Sequence, residues 1–183
     1  MTGFDVSFTF DDALREVPAS PADMRRAVEW LEIVATDPAR PAPERARAFG
    51  LIGTYARILG DLPRARTALT ESLAMYTALG EARAAFIQDV RLAHVLQWER
   101  DFAASDRAYA VLIGRAEREE VLVGLLDTVL QHAGKNAFDQ ARYDEARSLF
   151  ERALVLRESK GELDLTVSTR QALEATRRRQ AAG

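Results

Sequence analysis

The chain has 183 residues, of which 48% are hydrophobic and 29% charged, a composition typical of one folded domain rather than a disordered chain. It contains no cysteine, which excludes disulfides, a thiolate nucleophile and cysteine-ligated zinc. A formal net charge of -3 argues against nonspecific nucleic-acid binding, and no apolar window reaches membrane-spanning length or forms a secretory signal, so we expect a cytoplasmic protein with no membrane partner.

The first patterned segment, residues 4–10, alternates apolar and polar side chains. Phe4, Val6, Phe8 and Phe10 occupy the apolar positions, a period of two that predicts an extended strand with one apolar face. We expect this face to be covered by a sheet-like edge, a solenoid end or a second subunit, and a homodimer is one way to cover it. The alternative is a disordered terminus. Residues 1–19 are interpreted as an N-terminal extension.

Eight amphipathic helices are predicted after this extension. Apolar residues recur at three- and four-residue steps, and no proline follows Pro63. Glycine and acidic residues mark the breaks between helices. The predicted helices cover residues 21–36, 43–59, 62–79, 82–99, 102–118, 120–140, 143–160 and 162–179. We expect residues 20–183 to form a single helical repeat domain.

An internal repeat connects these helices. Three predicted helices begin at Leu62, Phe102 and Tyr143, so the repeat period is 40 residues (102 - 62) and then 41 residues (143 - 102). Each of them has a small residue three positions later and a large one seven positions later, and each preceding helix carries a small residue at one register. The small residues allow two helix backbones to approach closely, and the large residues fill the space between pairs. These columns are Gly53, Ala93 and Gly134; Ala65, Ser105 and Ala146; and Leu69, Tyr109 and Phe150.

This column pattern resembles the tetratricopeptide repeat, with the closest matches in GDLPRARTALTESLAMYTALGE and ARYDEARSLFERALVLRESKGE. The resemblance implies an all-α, right-handed superhelix (solenoid) of antiparallel helix pairs, preceded here by a short extended N-terminal segment. Its repeats would cover about 44–80, 82–119 and 120–160, with a capping helix at 162–179. The usual period is about 34 residues, so the match is to a long-period bacterial type. The early tryptophan of the motif is replaced by Phe49, Asp89 and Leu130.

No pattern in the sequence indicates catalysis. The histidines, His94 and His132, lie in different repeats without metal-ligand spacing, and no nucleophile elbow, Walker loop or dinucleotide-binding glycine motif is present. Carboxylates fall mostly at helical spacing from arginines, which is typical of solvated salt bridges. We therefore predict a protein that is not an enzyme and has no cofactor or metal site.

In the tetratricopeptide architecture, the first helix of each pair lines a concave groove that holds a peptide or helix. Cations outnumber acids along this face, which favours an acidic partner because arginine binds carboxylates in bidentate geometry. Gly50 and Thr54 stand where the chaperone-tail-binding members have lysine and asparagine, so we do not predict that ligand. Trp98 is either an interface anchor or a helix-pair cap, and Trp30 is expected in the core. Resemblance and helical geometry together give the groove residues Arg47, Thr54, Arg57, Arg83, Ile87, Val90, His94, Gln97, Trp98, Gln131, Lys135 and Phe138.

The leading functional hypothesis is a protein-protein interaction module that acts as an adaptor, scaffold or regulator. A self-associating structural protein that uses the apolar N-terminal segment is the alternative from another class. A regulatory domain that responds to a small ligand or signalling peptide is a third hypothesis, although no helix-turn-helix segment accompanies it. The sequence leaves the partner and pathway open.

Overall fold

The computed structural model describes residues 3–182, in which a small hairpin is followed by eight α-helices. The described residues are 77% helical, and the helices pack in sequence-adjacent pairs. This architecture confirms the predicted all-α helical repeat class. Its elements are β1 (Phe8–Phe10), β2 (Glu16–Pro18), α1 (Pro21–Thr36), α2 (Ala42–Ile58), α3 (Leu62–Ala78), α4 (Ala82–Trp98), α5 (Phe102–Arg118), α6 (Leu126–Asp139), α7 (Tyr143–Lys160) and α8 (Leu163–Ala182).

Most predicted helix limits agree with these bounds to within a few residues, and α6 is the main exception. It was predicted from residue 120 but begins at Leu126. Glu119 has extended backbone angles, and the following residues form a turn and a short 3-10 helix, Val123–Leu125. The buried side chain of Leu122 holds this turn in place. The apolar residues between 120 and 125 therefore resemble the start of a helix, although they form the turn that precedes α6.

The starts of α3 and α5 are fixed by side chains at equivalent repeat positions, whereas α2, α4 and α7 have no side-chain cap. Asp61 and Asp101 accept hydrogen bonds from the backbone N–H groups of Arg64 (3.2 Å) and Ala104 (3.1 Å), which satisfies donors that an α-helix leaves unpaired at its N-terminus. Ser20 caps α1 in the same way, accepting from the N–H of Asp23 at 3.2 Å. These local signals explain why the starts of α1, α3 and α5 could be predicted.

The turns before α3, α5 and α7 share a left-handed residue. Gly60 has φ 83°, and the equivalent Arg100 and Ala141 have φ 63° and 57°. A side chain in this region is strained by about 1 to 2 kcal/mol relative to glycine. The same repeat position therefore holds a strained residue in two of the three turns.

Replacing Ala141 with glycine should raise the free energy of unfolding by about 0.5 to 1 kcal/mol, because the relief of left-handed strain exceeds the entropy that glycine loses on folding. Ala141 is exposed, so no packing is lost. Urea denaturation followed by circular dichroism measures the change. Ala110→Gly, an exposed site within α5, is the control and should destabilise. Equal effects of the two substitutions would contradict the proposed strain.

The described chain divides into two compact units. The first contains Arg15–Glu99 together with the described residues before Asp12, and the second contains Arg100 onward together with Asp12–Leu14. In the first unit, successive helices from α1 to α4 pack against each other, and α2 also contacts α4. In the second, α5 to α8 do the same, and α6 also contacts α8. The expectation of one domain over 20–183 stays a prediction.

Small residues lie at the helix crossings where the repeat columns predicted them. A Cβ on Gly53 would lie 2.4 Å from Cγ of Leu69, and a Cβ on Gly134 would lie 2.5 Å from Cε1 of Phe150. Ala65 and Ala146 are fully buried. The predicted interlocking of small and large columns is therefore confirmed within each unit.

The last helix covers α7 with one face only. Ala172, Leu173 and Ala175 belong to the second unit's core. On the other face, Leu163 and Val167 are exposed. The predicted capping helix is therefore less polar on its outside than the end of a solenoid requires.

Candidate functional site

A buried ion pair joins the N-terminal hairpin to the first helical unit. Strands β1 and β2 are antiparallel, with Phe10 opposite Glu16. The Oε2 atom of Glu16 accepts a hydrogen bond from Nη1 of Arg57, near the end of α2, at 2.9 Å, and each side chain is only 6% exposed. Removing two charges from water is costly unless they pair well. The geometry therefore fixes an extended, acid-bearing segment against α2.

The hairpin turn is closed by Asp11. Its backbone N–H donates to the carbonyl of Arg15 at 3.0 Å, and its Oδ1 accepts from the N–H of Arg15 at 2.9 Å. At the other end of the hairpin, the N–H of Ala19 donates to the carbonyl of Ser7 at 2.9 Å. These bonds set the direction in which Arg15 and Glu16 leave the turn.

Trp98, the last residue of α4, lies beside this ion pair. The guanidinium carbons of Arg15 and Arg57 lie 4.9 Å and 4.8 Å from the centroid of its ring, within the range of cation-π attraction. Its Nε1–H donates to Nε2 of His94 at 3.2 Å, so that nitrogen acts as an acceptor. We call Arg57, His94 and Trp98 the Trp98 site, and Arg15 and Glu16 contact it from the hairpin. All five belong to the first unit.

A further cation, Arg91, lies between α2 and α4. Its Nη1 donates to Oε1 of Gln88 at 3.1 Å and approaches the carbonyl of Gly50 at 3.4 Å. The missing side chain at position 50 permits this approach, because a Cβ there would lie 3.1 Å from that Nη1 and 2.9 Å from the Gln88 oxygen. In the described part of the chain, both hydrogen-bond partners of the Arg91 guanidinium are therefore neutral.

The electrostatics around Arg91 are unfavourable to its charge. Burial lowers the pKa of the Arg91 guanidinium, and the positive charge of Arg57 lowers it further. Burial likewise raises the pKa of the Tyr55 hydroxyl, while the positive charges of Arg91 and Arg47 oppose that shift. Arg47 itself is exposed on α2. Arg47, Arg57 and Arg91 therefore place positive charge around α2 and α4, and Arg57 is paired with Glu16.

The structure divides the predicted groove residues by burial. In the first unit, Arg57, His94 and Trp98 come together in the Trp98 site. The remaining groove residues of this unit are the buried Val90 and Gln97, the partly buried Thr54 and Ile87, and the exposed Arg47 and Arg83.

Three predicted groove residues belong to the second unit, and all three are buried. Gln131 is a member of a polar network described below, and Phe138 packs on Tyr143 with ring centroids 5.5 Å apart. Lys135 is 5% exposed. The helical spacing that selected these three residues for a groove did not predict that they are buried.

The network around Gln131 is centred on the buried Arg157. The guanidinium of Arg157 donates to Oδ2 of Asp127 (3.1 Å), Oε1 of Gln131 (3.2 Å) and Oγ1 of Thr169 (2.6 Å). Lys160 also pairs with Asp127. Each charge in this buried network has an opposite charge or a hydrogen-bond partner, which is what burial demands.

The four predicted self-association residues do not share one environment, and only 8–10 of the predicted strand 4–10 is a strand. Val6 packs against the core of the first unit, and Phe4 is partly buried. Phe8 and Phe10 are exposed and form an edge-to-face pair with centroids 5.6 Å apart. The strand is shorter than its alternation suggested because the pairing with β2 covers only Phe8, Thr9 and Phe10.

Trp30 differs from its expected core position. It is 39% exposed and lines a cavity of about 250 Å³ with Leu31, Val34 and Arg47 among its walls. Helical spacing from Ala27 and Val34 placed it near the apolar stripe, but it sits at the edge of that stripe. The cavity has no converging polar groups apart from Glu44 and Arg47.

Residues that sequence reasoning missed are Arg15, Glu16 and Arg91. Arg15 and Glu16 lie outside every helix, so the helical stripe could not include them. Arg91 lies one position from the chosen stripe through Val90 and His94, and Gly50 was the available signal for its approach. Within residues 3–182, no cluster of three or more metal-ligating side chains occurs, and no helix has the length and apolarity to cross a bilayer.

Comparisons with known proteins support the fold. No family model matches the chain, and no curated protein matches it. The structure is similar to the crystal structure of BtubC (BKLC) from P. vanneervenii, with a TM-score of 0.56 and 15% sequence identity over 88% of this chain and 74% of that one. At this identity, the similarity establishes a shared helical fold and nothing about function.

Proposed function

We propose that the chain is a protein-protein interaction module of tetratricopeptide type that binds an extended, acidic segment of a partner at the Trp98 site. It would act as an adaptor, scaffold or regulator and carry out no catalysis. The long-period bacterial repeat type and the cytoplasmic location expected from the sequence remain part of this proposal.

One observation carries the proposal, namely the ion pair between Glu16 and Arg57 beside Trp98. An extended strand with a carboxylate already lies against α2 at this site, so the helices can accept backbone and side chains of that shape. A tryptophan and an arginine that meet in a half-buried site are the residue types that most often dominate binding energy. The chain's own segment thus resembles the ligand we propose.

Charge supports the same partner chemistry. Arg47 is exposed on α2, and the hydrogen-bond partners described for Arg91 are neutral. Acidic side chains on a partner would complement this positive charge, which mainly speeds association and fixes orientation. A carboxylate can also accept two hydrogen bonds from one guanidinium.

Selection from a library of 12-residue peptides displayed against the immobilised full chain tests this function. We expect the selected peptides to be rich in Asp and Glu and to bind Trp98→Ala about tenfold or more weakly than the parent, because an aromatic anchor is lost. Arg25→Gln, an exposed arginine on α1, is the control and should bind like the parent. Thermal melts establish that each variant is folded.

The proposal fails if the selected peptides carry no acidic excess, or if Trp98→Ala binds them as tightly as the parent does. It also fails if Arg25→Gln weakens binding as much as Trp98→Ala, because general electrostatic attraction would then explain the selection.

Self-association is a second candidate function, and the exposed pair Phe8 and Phe10 favours it. Two large apolar rings on a hairpin edge are the kind of surface that a second copy covers. Light scattering of the parent tests this candidate, which requires a dimer and is contradicted by a monomer.

A further inference from the structure

We infer that residues 15–17 are a built-in competitor for the Trp98 site, and that a partner displaces them with two carboxylates, one taking the place of Glu16 on Arg57 and the other pairing with Arg91. This inference rests on the proposed function and adds its regulation and the charge pattern of its ligand. It concerns residues of the first unit only.

Residues 15–17 make two defined contacts with the Trp98 site. Glu16 supplies the carboxylate that pairs with Arg57, and Arg15 covers the Trp98 ring. Any partner that binds Arg57 and Trp98 must therefore replace both contacts. A partner with only the same two contacts cannot compete well, because a tethered segment acts at an effective concentration in the millimolar range.

Arg91 supplies the contact that the competitor does not make. Its guanidinium binds the neutral oxygens of Gly50 and Gln88, while the charge of Arg57 is close enough to act on it. Arg57 already has the carboxylate of Glu16, whereas the hydrogen-bond partners of Arg91 are neutral, so a second carboxylate would balance the charge of Arg91. A partner with two acidic residues gains this second ion pair, and that gain offsets the advantage of the tether.

The occupant is thus an acidic peptide segment, and phosphate or nucleic acid is disfavoured. Arg57 is held in a space filled by a single carboxylate on an extended strand. The guanidinium groups of Arg15 and Arg57 lie over the Trp98 ring, and its ring contact with His94 is edge-to-face. A flexible chain with neighbouring carboxylates reproduces these contacts most directly.

The experiment uses a capped pentaglutamate peptide as the probe and capped pentaglutamine as its neutral control, with binding measured by isothermal titration calorimetry on the full chain. Glu16→Gln weakens the competitor while keeping its shape, so this variant should bind pentaglutamate about tenfold more tightly than the parent. Adding Arg91→Gln to Glu16→Gln should weaken the affinity for pentaglutamate about tenfold. Adding Arg25→Gln to Glu16→Gln should leave that affinity unchanged. Pentaglutamine should bind none of the proteins.

A second variant guards against loss of folding in Glu16→Gln. Arg15→Ala removes the contact with Trp98 and leaves the Glu16–Arg57 ion pair in place. It should also bind pentaglutamate more tightly than the parent, by a smaller factor than Glu16→Gln. Circular dichroism melts show which of the two variants is folded, and the folded variant is used for the binding measurement.

The outcomes separate this inference from the proposed function. If the parent, Glu16→Gln and Arg15→Ala bind pentaglutamate with equal affinity, residues 15–17 are not a competitor. The inference is then overturned, while the interaction function stands. If Arg91→Gln and Arg25→Gln have equal effects, the second carboxylate does not pair with Arg91 and the inference is overturned in that part. If no variant binds pentaglutamate, the acidic-peptide function itself fails.

Discussion

Replacing Asp127 with alanine should lower the free energy of unfolding by about 3 to 5 kcal/mol, because it leaves the buried guanidinium of Arg157 without its carboxylate. Asp127 is 2% exposed on its side chain and Arg157 is 4% exposed, so bulk water does not screen this pair. The hydrogen bonds from Arg157 to Gln131 and Thr169 remain, but they supply no compensating charge. Urea denaturation monitored by circular dichroism gives the change.

The control for Asp127→Ala is Glu158→Ala. Glu158 pairs with Arg170 at 2.7 Å, but the two side chains are 46% and 63% exposed. Water screens such a pair, so its loss should cost about 0 to 1 kcal/mol. Similar losses for both substitutions would show that the Arg157 network is hydrated in solution.

Replacing Phe150 with alanine should also cost about 3 to 5 kcal/mol, through the lost burial of the ring and the cavity left over Gly134. Phe150 is completely buried and belongs to the core of the second unit. Val155→Ala, at an exposed position on the same helix, should stay within about 0.5 kcal/mol of the parent. The measurement is again the midpoint and slope of urea unfolding.

A double-mutant cycle tests whether Phe150 and Gly134 interlock. Gly134→Ala alone should destabilise by about 1 to 3 kcal/mol, since its new Cβ would lie 2.5 Å from Cε1 of Phe150. In the Phe150→Leu background the same change should cost less, because the ring that it meets is gone. Additive effects would place the two helices further apart than this structure does.

Local signals in the sequence were sufficient for most of the helices. The capping carboxylates of Asp61 and Asp101 act within three residues, and the period of apolar residues is read directly from the chain. The start of α6 was wrong because residues 120–125 are apolar enough to look helical while the backbone turns. The predicted core position of Trp30 was wrong, because spacing gives the face of the helix on which a residue lies but not how far the neighbouring helix covers that face.

The candidate site was predicted only in part. Arg57, His94 and Trp98 lie on first helices of the repeats, so helical geometry could select them. Glu16 could not be selected, because it meets Arg57 across 41 residues of sequence and through a hairpin that no helical pattern describes. Gln131, Lys135 and Phe138 were selected by the same geometry, yet they are buried within the second unit.

The sequence by itself determined the helical class, the 40- to 41-residue period and the columns of small and large residues, because these depend on spacing along one chain. Only the tertiary structure decided which charges are buried and what they meet, because burial depends on every element packed around a side chain. Arg57 shows the difference. Its position on a helix face follows from its number in the chain, whereas its pairing with Glu16 depends on how the hairpin folds back onto α2.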